Sequence, residues 1–333
     1  MSAADHRLVV PAADPQTAFT GERFVPGLPG EIALEHLHRY LAAAPLCAGR
    51  DVLDIASGQG YGSALLAQAA RSVVGVDVDE PTVRRARELY RAGNLRFEAG
   101  DCIAVPLPDG SVDAVVSFET IEHITDHERF LAEVRRVLRP GGVLFISTPD
   151  REVYNRHNPA PNPYHPRELT RDEFAGLLGA AFANVRIARQ RTLFASALAP
   201  ERDEGRPPQF ISLAADRRVS VAPQPAESVY LLAVCTDGPA VALGPSFYEG
   251  EADPHYLNSL LGGIVERDRE LAWLRDQRVQ AEGELAWLRD LRARADADIA
   301  WLRGQLERAN PERVAEELSQ LRAQVSEALR RAA

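Results

Sequence analysis

The segment Phe118-Glu119-Thr120-Ile121-Glu122-His123-Ile124 puts two carboxylates and an imidazole within five positions. On a helix that begins here, Glu119, Glu122 and His123 stand at i, i+3 and i+4 and share one face. Oxygen donors with one imidazole suit a divalent cation: Mg²⁺ favours oxygen, while the histidine admits Mn²⁺ or another transition ion. The chemistry such a site serves is activation of a hydroxyl, which ionises far above neutrality and needs a metal or a positioned base to become a nucleophile. A second constellation precedes it. Asp51-Val52-Leu53-Asp54-Ile55-Ala56-Ser57-Gly58-Gln59-Gly60-Tyr61-Gly62 reads as a buried strand entering a glycine-rich turn, where Gly58 and Gly60 let the backbone lie against a ligand. Ser72-Val73-Val74-Gly75-Val76-Asp77 then ends in a carboxylate where an acidic residue meets ribose hydroxyls in nucleotide-binding turns.

These residues need elements to hold them. Further strand-like runs at 97–102, 112–118 and 138–148 alternate with helical spacing, which implies a mostly parallel, doubly wound α/β sheet with right-handed crossovers. Ligands in such sheets sit beyond the carboxyl ends of the strands, so one cleft can collect the glycine turn, Asp77, Asp101 and Phe118. The runs 185–194 and 228–235 read as a terminal antiparallel pair, separated by a Pro- and Arg-containing insertion at about 197–226 that is either a substrate flap or a surface excursion. Residues 150–166 read as a long polar loop, and Thr170 with Glu173 forms a capping box for the next helix. At the N-terminus, an arm leads to an amphipathic helix at about 31–44 with Ile32, Leu34, Leu37, Tyr40 and Leu41 on its apolar face. That helix either covers a sheet edge or joins Arg23 and Phe24, through Tyr40, in a lid. The domain expectation is therefore an arm and lid helix at 1–45, a catalytic domain at 46–240 and a helical tail at 253–333.

The tail follows a different pattern. Glu270-Leu271-Ala272-Trp273-Leu274-Arg275-Asp276 recurs with small changes at 284–290 and 298–304, a period of two heptads. Leu257, Leu260, Ile264, Leu271, Leu274, Leu285, Leu288, Ile299, Leu302 and Leu306 take a and d positions, while Arg278 and Arg292 interrupt a, and Ala281 and Ala295 thin d. Trp273, Trp287 and Trp301 fall at c. Asn310-Pro311 caps and opens a second helix carrying Val314, Leu318, Leu321, Val325 and Leu329. This predicts a coiled coil that makes a homo-oligomer or binds a partner protein, in place of a lone surface helix.

Composition narrows the partners. The 333 residues carry a formal charge of −10, and every basic residue other than histidine is arginine, which excludes a lysine base and disfavours a nucleic-acid groove. Cys47, Cys102 and Cys235 lack metal spacing and read as reduced thiols of a cytoplasmic protein. Residues 1–16 lack the apolar core of a signal peptide, and no apolar run is long enough to span a bilayer.

The order of these words over roughly residues 20–237 resembles the class I S-adenosylmethionine-dependent methyltransferases, departing at Ala56, where that family commonly has glycine. The resemblance implies S-adenosylmethionine as cofactor, held by Asp54, Ala56, Ser57, Gly58, Gly60, Asp77, Val78, Asp101, Cys102 and Phe118. Glu-x-x-Glu-His, followed by Ser147-Thr148-Pro149 and Tyr164-His165-Pro166-Arg167-Glu168-Leu169-Thr170-Arg171-Asp172-Glu173-Phe174, resembles the small-RNA 3′-terminal 2′-O-methyltransferases and the ubiquinone-pathway O-methyltransferases. That resemblance implies a metal site of Glu119, Glu122, His123 and His165 for Mg²⁺ or Mn²⁺, with His123, His165 and Glu122 in catalysis and His157 as a further candidate base. Thr20-Gly21-Glu22-Arg23-Phe24-Val25-Pro26-Gly27 and the coil look like bacterial methyltransferases of glycan pathways, which implies a sugar hydroxyl as acceptor. A phenolic or polyketide-like acceptor is the alternative, RNA comes third, and an inactive scaffold acting through its coil is the reading from another class.

Overall fold

The computed structural model describes residues 8–11, 31–157, 160, 162–193, 209–213, 217–225, 227–248, 254–308 and 311–332. Two compact units divide between Gly250 and Glu251. In the first, α1 (Glu31–Ala43) is followed by β1 (Asp51–Ile55), α2 (Tyr61–Leu66), β2 (Ser72–Asp77), α3 (Glu80–Leu89), β3 (Leu95–Ala99) and β4 (Val112–Ser117). Then come α4 (His127–Val137), β5 (Leu138–Pro149), α5 (Arg151–His157), α6 (Arg171–Ala181), β6 (Asn184–Gln190), β7 (Phe210–Leu213), β8 (Val219–Ala222) and β9 (Tyr230–Thr236). The main sheet runs β3-β2-β1-β4-β5-β9-β6. Its first five strands are parallel, and β9 slots antiparallel between β5 and β6. This is the Rossmann-like, seven-stranded arrangement that the alternating words imply, down to the terminal antiparallel pair.

Alternation along each strand feeds two cores. Leu53, Ile55, Val74, Val115, Leu144 and Ile146 face α4 and α6, where Phe130, Val134, Phe174 and Leu178 are buried. Val52, Val73, Ala114, Val116 and Phe145 face the other way, onto α1 and α2 through Tyr40, Ala43, Leu65 and Leu66. Hence α1 lies on a face of the sheet and is part of its core. Its helix also buries residues that an amphipathic reading leaves outside: Glu35 and Arg39 are buried, whereas Ile32, Leu34, Leu37 and Leu41 are only half-buried. Arg23 and Phe24 lie outside the described residues. Tyr40 stacks edge-on against Tyr61 and Phe118 and crosses Gly62 so closely that a Cβ there would sit 2.1 Å from its ring.

Two local expectations change in detail. The polar loop at 150–166 opens with α5. The insertion at 197–226 contains an antiparallel hairpin, β7 with β8, where it is described. Thr170 accepts from the Glu173 N–H and the Glu173 carboxylate accepts from Thr170, completing the capping box of α6.

The second unit holds α7 (Pro254–Arg308) and α8 (Pro311–Ala332). The 14-residue repeat is thus helical throughout, within a helix α7 about 80 Å long at 1.5 Å per residue. The side chains of Leu257, Leu260, Ile264 and Leu329, and Asn310 altogether, lie outside the described residues. No helix among the described residues is long and apolar enough to cross a membrane.

Beneath the sheet's carboxyl edge, Asp54 is fully buried and accepts from Ser63 Oγ at 2.6 Å and Tyr40 Oη at 3.1 Å. Burial pushes its carboxyl from 3.8 up to about 7 against these bonds, and burial likewise raises Glu35 to about 7. Between the ordinary carboxylate range and pH 7 the folded chain therefore holds protons that the unfolded chain has released. The contribution of these two groups to stability falls as pH rises through that window, each by at most about 1.4 kcal/mol per pH unit, while His36, which burial lowers to about 3, contributes the opposite slope below its ordinary 6.5. Calorimetry should find that the stability of Asp54→Asn relative to the unsubstituted chain rises between pH 5 and pH 8, as the Asp54 contribution is lost from the latter; a difference that does not change with pH would contradict the assignment.

Candidate active site

Each parallel strand delivers its residues at its carboxyl end. After β1 the chain turns through Ala56 at φ +56°, with the Ser57 N–H donating to the Val76 carbonyl at 3.0 Å. Gly60, at φ +85°, opens α2, and a Cβ there would lie 2.5 Å from the Phe97 ring, so both conformation and space demand glycine. After β2, the Asp77 carboxylate accepts the Gly58 N–H at 2.9 Å and the Asp79 N–H at 3.0 Å, which ties the glycine turn to the head of α3.

A cavity of about 950 Å³ lies over these strand ends. That is within the size range of small-molecule sites. Ala56, Ser57, Gly58, Asp77, Val78, Asp101, Cys102 and Phe118 all line it. Asp54 and Gly60 do not: the first supports the turn from below, and the second caps α2. Ser57 Oγ is buried without a hydrogen-bond partner, an orphan polar atom of the kind a bound ligand satisfies. Sequence reading missed His36, Tyr61, Asp79, Thr82, Tyr154 and Tyr230, which also line the cavity. Asp79 had a legible signal as the N-cap of α3, accepting from the Thr82 N–H; the tyrosines had none.

The same cavity holds Glu119, Glu122, His123 and His165, but they do not form one set. No helix starts at Glu119. Phe118–Thr120 is a turn with Glu119 at φ +51°, and a short 3₁₀ turn covers Ile121–His123. The shared face therefore disappears. Glu119 instead has its N–H on Ser147 Oγ at 3.1 Å and accepts that hydroxyl's proton at 2.6 Å, with Arg39 Nη1 at 3.2 Å from the same carboxylate oxygen. Glu122, His123 and His165 do converge, with one ligand-capable atom from each all within 4.8 Å of one another. His157 lies outside the cavity lining and is half exposed beside Glu227.

The surroundings of the trio fix its chemistry. His123 Nδ1 stands 2.8 Å from the Tyr164 carbonyl, which can only accept, so the neutral ring carries its proton there and its lone pair on Nε2. His165 Nδ1 is 2.7 Å from a Glu168 carboxylate oxygen, with the same consequence. An imidazole whose Nδ1–H is held by a carbonyl or carboxylate is the arrangement seen behind metal-binding Nε2 atoms. Glu122 is wholly buried; Thr148 Oγ1 donates to one of its oxygens at 3.1 Å, and the other has no hydrogen-bond partner. Burial, and then the neighbouring Glu119 charge, push the Glu122 carboxyl well above the usual range, so it favours a proton or a cation.

The backbone at Ala56 has a measurable consequence. A left-handed conformation costs an L-residue about 1–2 kcal/mol, part of which glycine would give back through the freer unfolded chain. Ala56→Gly should stabilise the domain by roughly 0.5–1 kcal/mol in urea unfolding, and a lower midpoint would show that the Ala56 methyl is needed for packing.

Comparison with known proteins agrees with this geometry. Residues 53–146 match the family described as a methyltransferase domain. The chain is 46% identical over 165 residues to a probable S-adenosylmethionine-dependent methyltransferase of Mycolicibacterium smegmatis, covering 49% of this chain and 63% of that one. A protein of the same description from Mycobacterium tuberculosis is 43% identical over 170 residues, covering 50% and 61%. A fatty-acid O-methyltransferase of Mycolicibacterium smegmatis is 34% identical over 121 residues, covering 36% and 44%. The chain thus spans about three fifths of the length of the first two relatives. Strand order, glycine turn and these matches agree on the core: residues 53–146 match a methyltransferase domain, and the chain is similar there to S-adenosylmethionine-dependent methyltransferases.

Proposed function

We propose that this chain moves the methyl group of S-adenosylmethionine to an oxygen of its acceptor, and that this oxygen is a sugar hydroxyl activated at Glu122, His123 and His165. The observation that carries the reading is the orphaned, buried Glu122 oxygen between two imidazoles whose Nδ1 atoms are already held. The donor set of two nitrogens and a carboxylate fits a divalent cation, Mn²⁺ or a similar transition ion better than Mg²⁺. Such an ion, when bound, would lower the pKa of a hydroxyl beside it. Glu119 stays outside the set, engaged by Arg39 and Ser147.

The protein's own residues divide the remaining work. Asp77 and the glycine turn orient the cofactor, with Asp77 taking the ribose hydroxyls and Asp101 standing near the adenine amino group. The sulfonium methyl is already activated, so alignment of the incoming oxygen with the carbon–sulfur bond contributes most of the rate. The His165–Glu168 pair can hold the hydroxyl's proton if the ring is not ligating. Tyr154, Tyr164 and Tyr230 offer flat apolar faces for a sugar ring in the same cavity. Three unpaired cysteines fit a reducing, cytoplasmic setting.

A carboxylate acceptor is a second reading, favoured by the fatty-acid O-methyltransferase relative. It is distinguishable because a carboxylate is already anionic at neutral pH and needs neither cation nor base. The phenolic alternative shares the need for deprotonation, and the scaffold alternative predicts no turnover at all.

Two measurements test the reading. Asp77→Ala should weaken S-adenosylmethionine binding by roughly 1.5–3 kcal/mol in calorimetry, the usual share of hydrogen bonds to a charged group. Unchanged affinity with the fold intact would remove Asp77 from the cofactor site. With labelled cofactor and a panel of saccharides, phenols and fatty acids, chelation should abolish transfer to sugars while sparing cofactor binding, and Mn²⁺ should restore it. His165→Ala and Glu122→Gln should behave like the chelated enzyme. Full transfer in excess chelator would assign proton removal to His165 and Glu168 alone, and transfer to fatty acids only would favour the carboxylate reading.

A further inference from the structure

The tail carries an exposed apolar stripe. Along α7, Leu271, Leu285 and Ile299 at a and Leu274, Leu288 and Leu302 at d are each between 47% and 52% exposed. The three tryptophans beside them are 59–63% exposed. A stripe of this length is an interaction face, and the charges flanking it identify what it meets.

With Leu271 at a, the g positions of the repeated heptads are Glu270, Glu284 and Asp298, and the e positions five residues on are Arg275, Arg289 and Arg303. In a parallel, in-register pair of helices, each g residue faces the e residue five positions later on the other chain. Every one of these three pairs is then acid against arginine. The intervening pairs, Gln277 with Glu282 and Leu291 with Asp296, contain no like charges. A slip of one heptad instead sets Glu270 against Glu282 and Glu284 against Asp296. Antiparallel pairing sets g against g and e against e: over residues 270–303 its g row holds only acids and neutral residues and offers no attraction, and its e row at best pairs Arg275 with Asp296 and Glu282 with Arg289, drawing on the two acids that Arg278 and Arg292 already engage on their own helix.

The polar a positions agree. Arg278 Nε lies 3.0 Å from Glu282 and Arg292 Nε 3.9 Å from Asp296 on the same helix, so each arginine brings its own counter-charge. Ala281 and Ala295 at the adjoining d positions leave room for the long stems, whose heads can reach water at the flank of a two-stranded coil but not inside a thicker bundle. The 14-residue period therefore encodes its own complement. We infer that the partner of α7 is a second copy of this chain, joined in a parallel, in-register, two-stranded coiled coil.

The test uses the full chain. Analytical ultracentrifugation at micromolar concentration should give twice the chain mass. Ala281→Cys and Ala295→Cys, made separately and oxidised, should each give a disulfide-linked dimer that the unsubstituted chain does not. Both positions cross-link only if the helices are parallel and in register, since an antiparallel pair can bring at most one residue number opposite itself. The triple change Glu270→Arg, Glu284→Arg and Asp298→Arg should weaken self-association at least tenfold. Mixing it with Arg275→Glu, Arg289→Glu and Arg303→Glu should restore pairing as a heterodimer, which also shows that neither variant has merely lost its helix. A monomeric full chain, a mass of three or more chains, a cross-link at one position only, or charge reversal without effect on association would each overturn the inference.

Discussion

The buried guanidinium of Arg39 is the constraint around which the sheet's open side is arranged. It is 1% exposed. Its Nε donates to Gln190 Oε1 at 2.6 Å, its Nη1 stands 3.2 Å from Glu119 Oε1, and its carbon sits 4.4 Å from the centre of the Tyr230 ring. Those three partners belong to β6, to the turn after β4 and to β9, so one side chain of α1 ties together elements far apart in the chain. Removing one partner from a buried ion pair strands the other charge, at a typical cost of about 3–5 kcal/mol. Glu35, one turn earlier, reinforces the joint: Gln190 Nε2 donates to its carbonyl at 2.9 Å and Thr192 Oγ1 to its carboxylate at 3.2 Å. The helix is therefore built into the fold by polar contacts as much as by apolar ones, and its docking decides where Glu119 points.

That explains what was and was not legible in the sequence. Strands β1 to β5 announce themselves because burial on both faces requires continuous apolar runs, and each run stops at a residue with a reason to stop: Ala56, Asp77, Phe118. The capping box at Thr170 is equally local. Helix α1 is legible in its apolar face, since Ile32, Leu37, Tyr40 and Leu41 pack on the core, but Glu35 and Arg39 look like solvent residues until their partners, 80 to 157 positions away, are known. Long-range compensation of a buried charge leaves no trace in local periodicity.

The candidate site divides along the same line. His123 and Glu122 are adjacent in sequence, and His165 joins them through a loop whose proximity only the folded chain reveals, with Arg167 N–H donating to the Glu122 carbonyl at 3.4 Å. Glu119 reads as a fourth member because the spacing i, i+3, i+4 is diagnostic only on a helix. The actual backbone there is left-handed, which rotates Glu119 toward Arg39 and Ser147. Three of the four residues do meet in the fold, and the helical period that set Glu119 beside them does not apply to its left-handed backbone.

Strain supports the view that this turn has a purpose. Among the described residues, the non-glycine positions at positive φ are Ala56, Glu119 and Arg217. Two of the three line the cavity, Ala56 just past the carboxyl end of β1 and Glu119 just past that of β4, strands that are neighbours in the sheet. Such conformations persist only where surrounding contacts over-determine them. At Ala56 the restraint is the pair of backbone donors at Ser57 and Gly58, fixed to Val76 and Asp77. At Glu119 it is the double exchange with Ser147 and the charge of Arg39. Relaxing the first would loosen the turn that lines the cavity, and relaxing the second would free the Glu119 carboxylate from Ser147 and Arg39, beside a Glu122 carboxyl whose ionisation its charge already opposes. The two strained turns thus keep the walls of one cavity apart in role: a backbone cradle on the β1 side, and a controlled number of carboxylates on the β4 side.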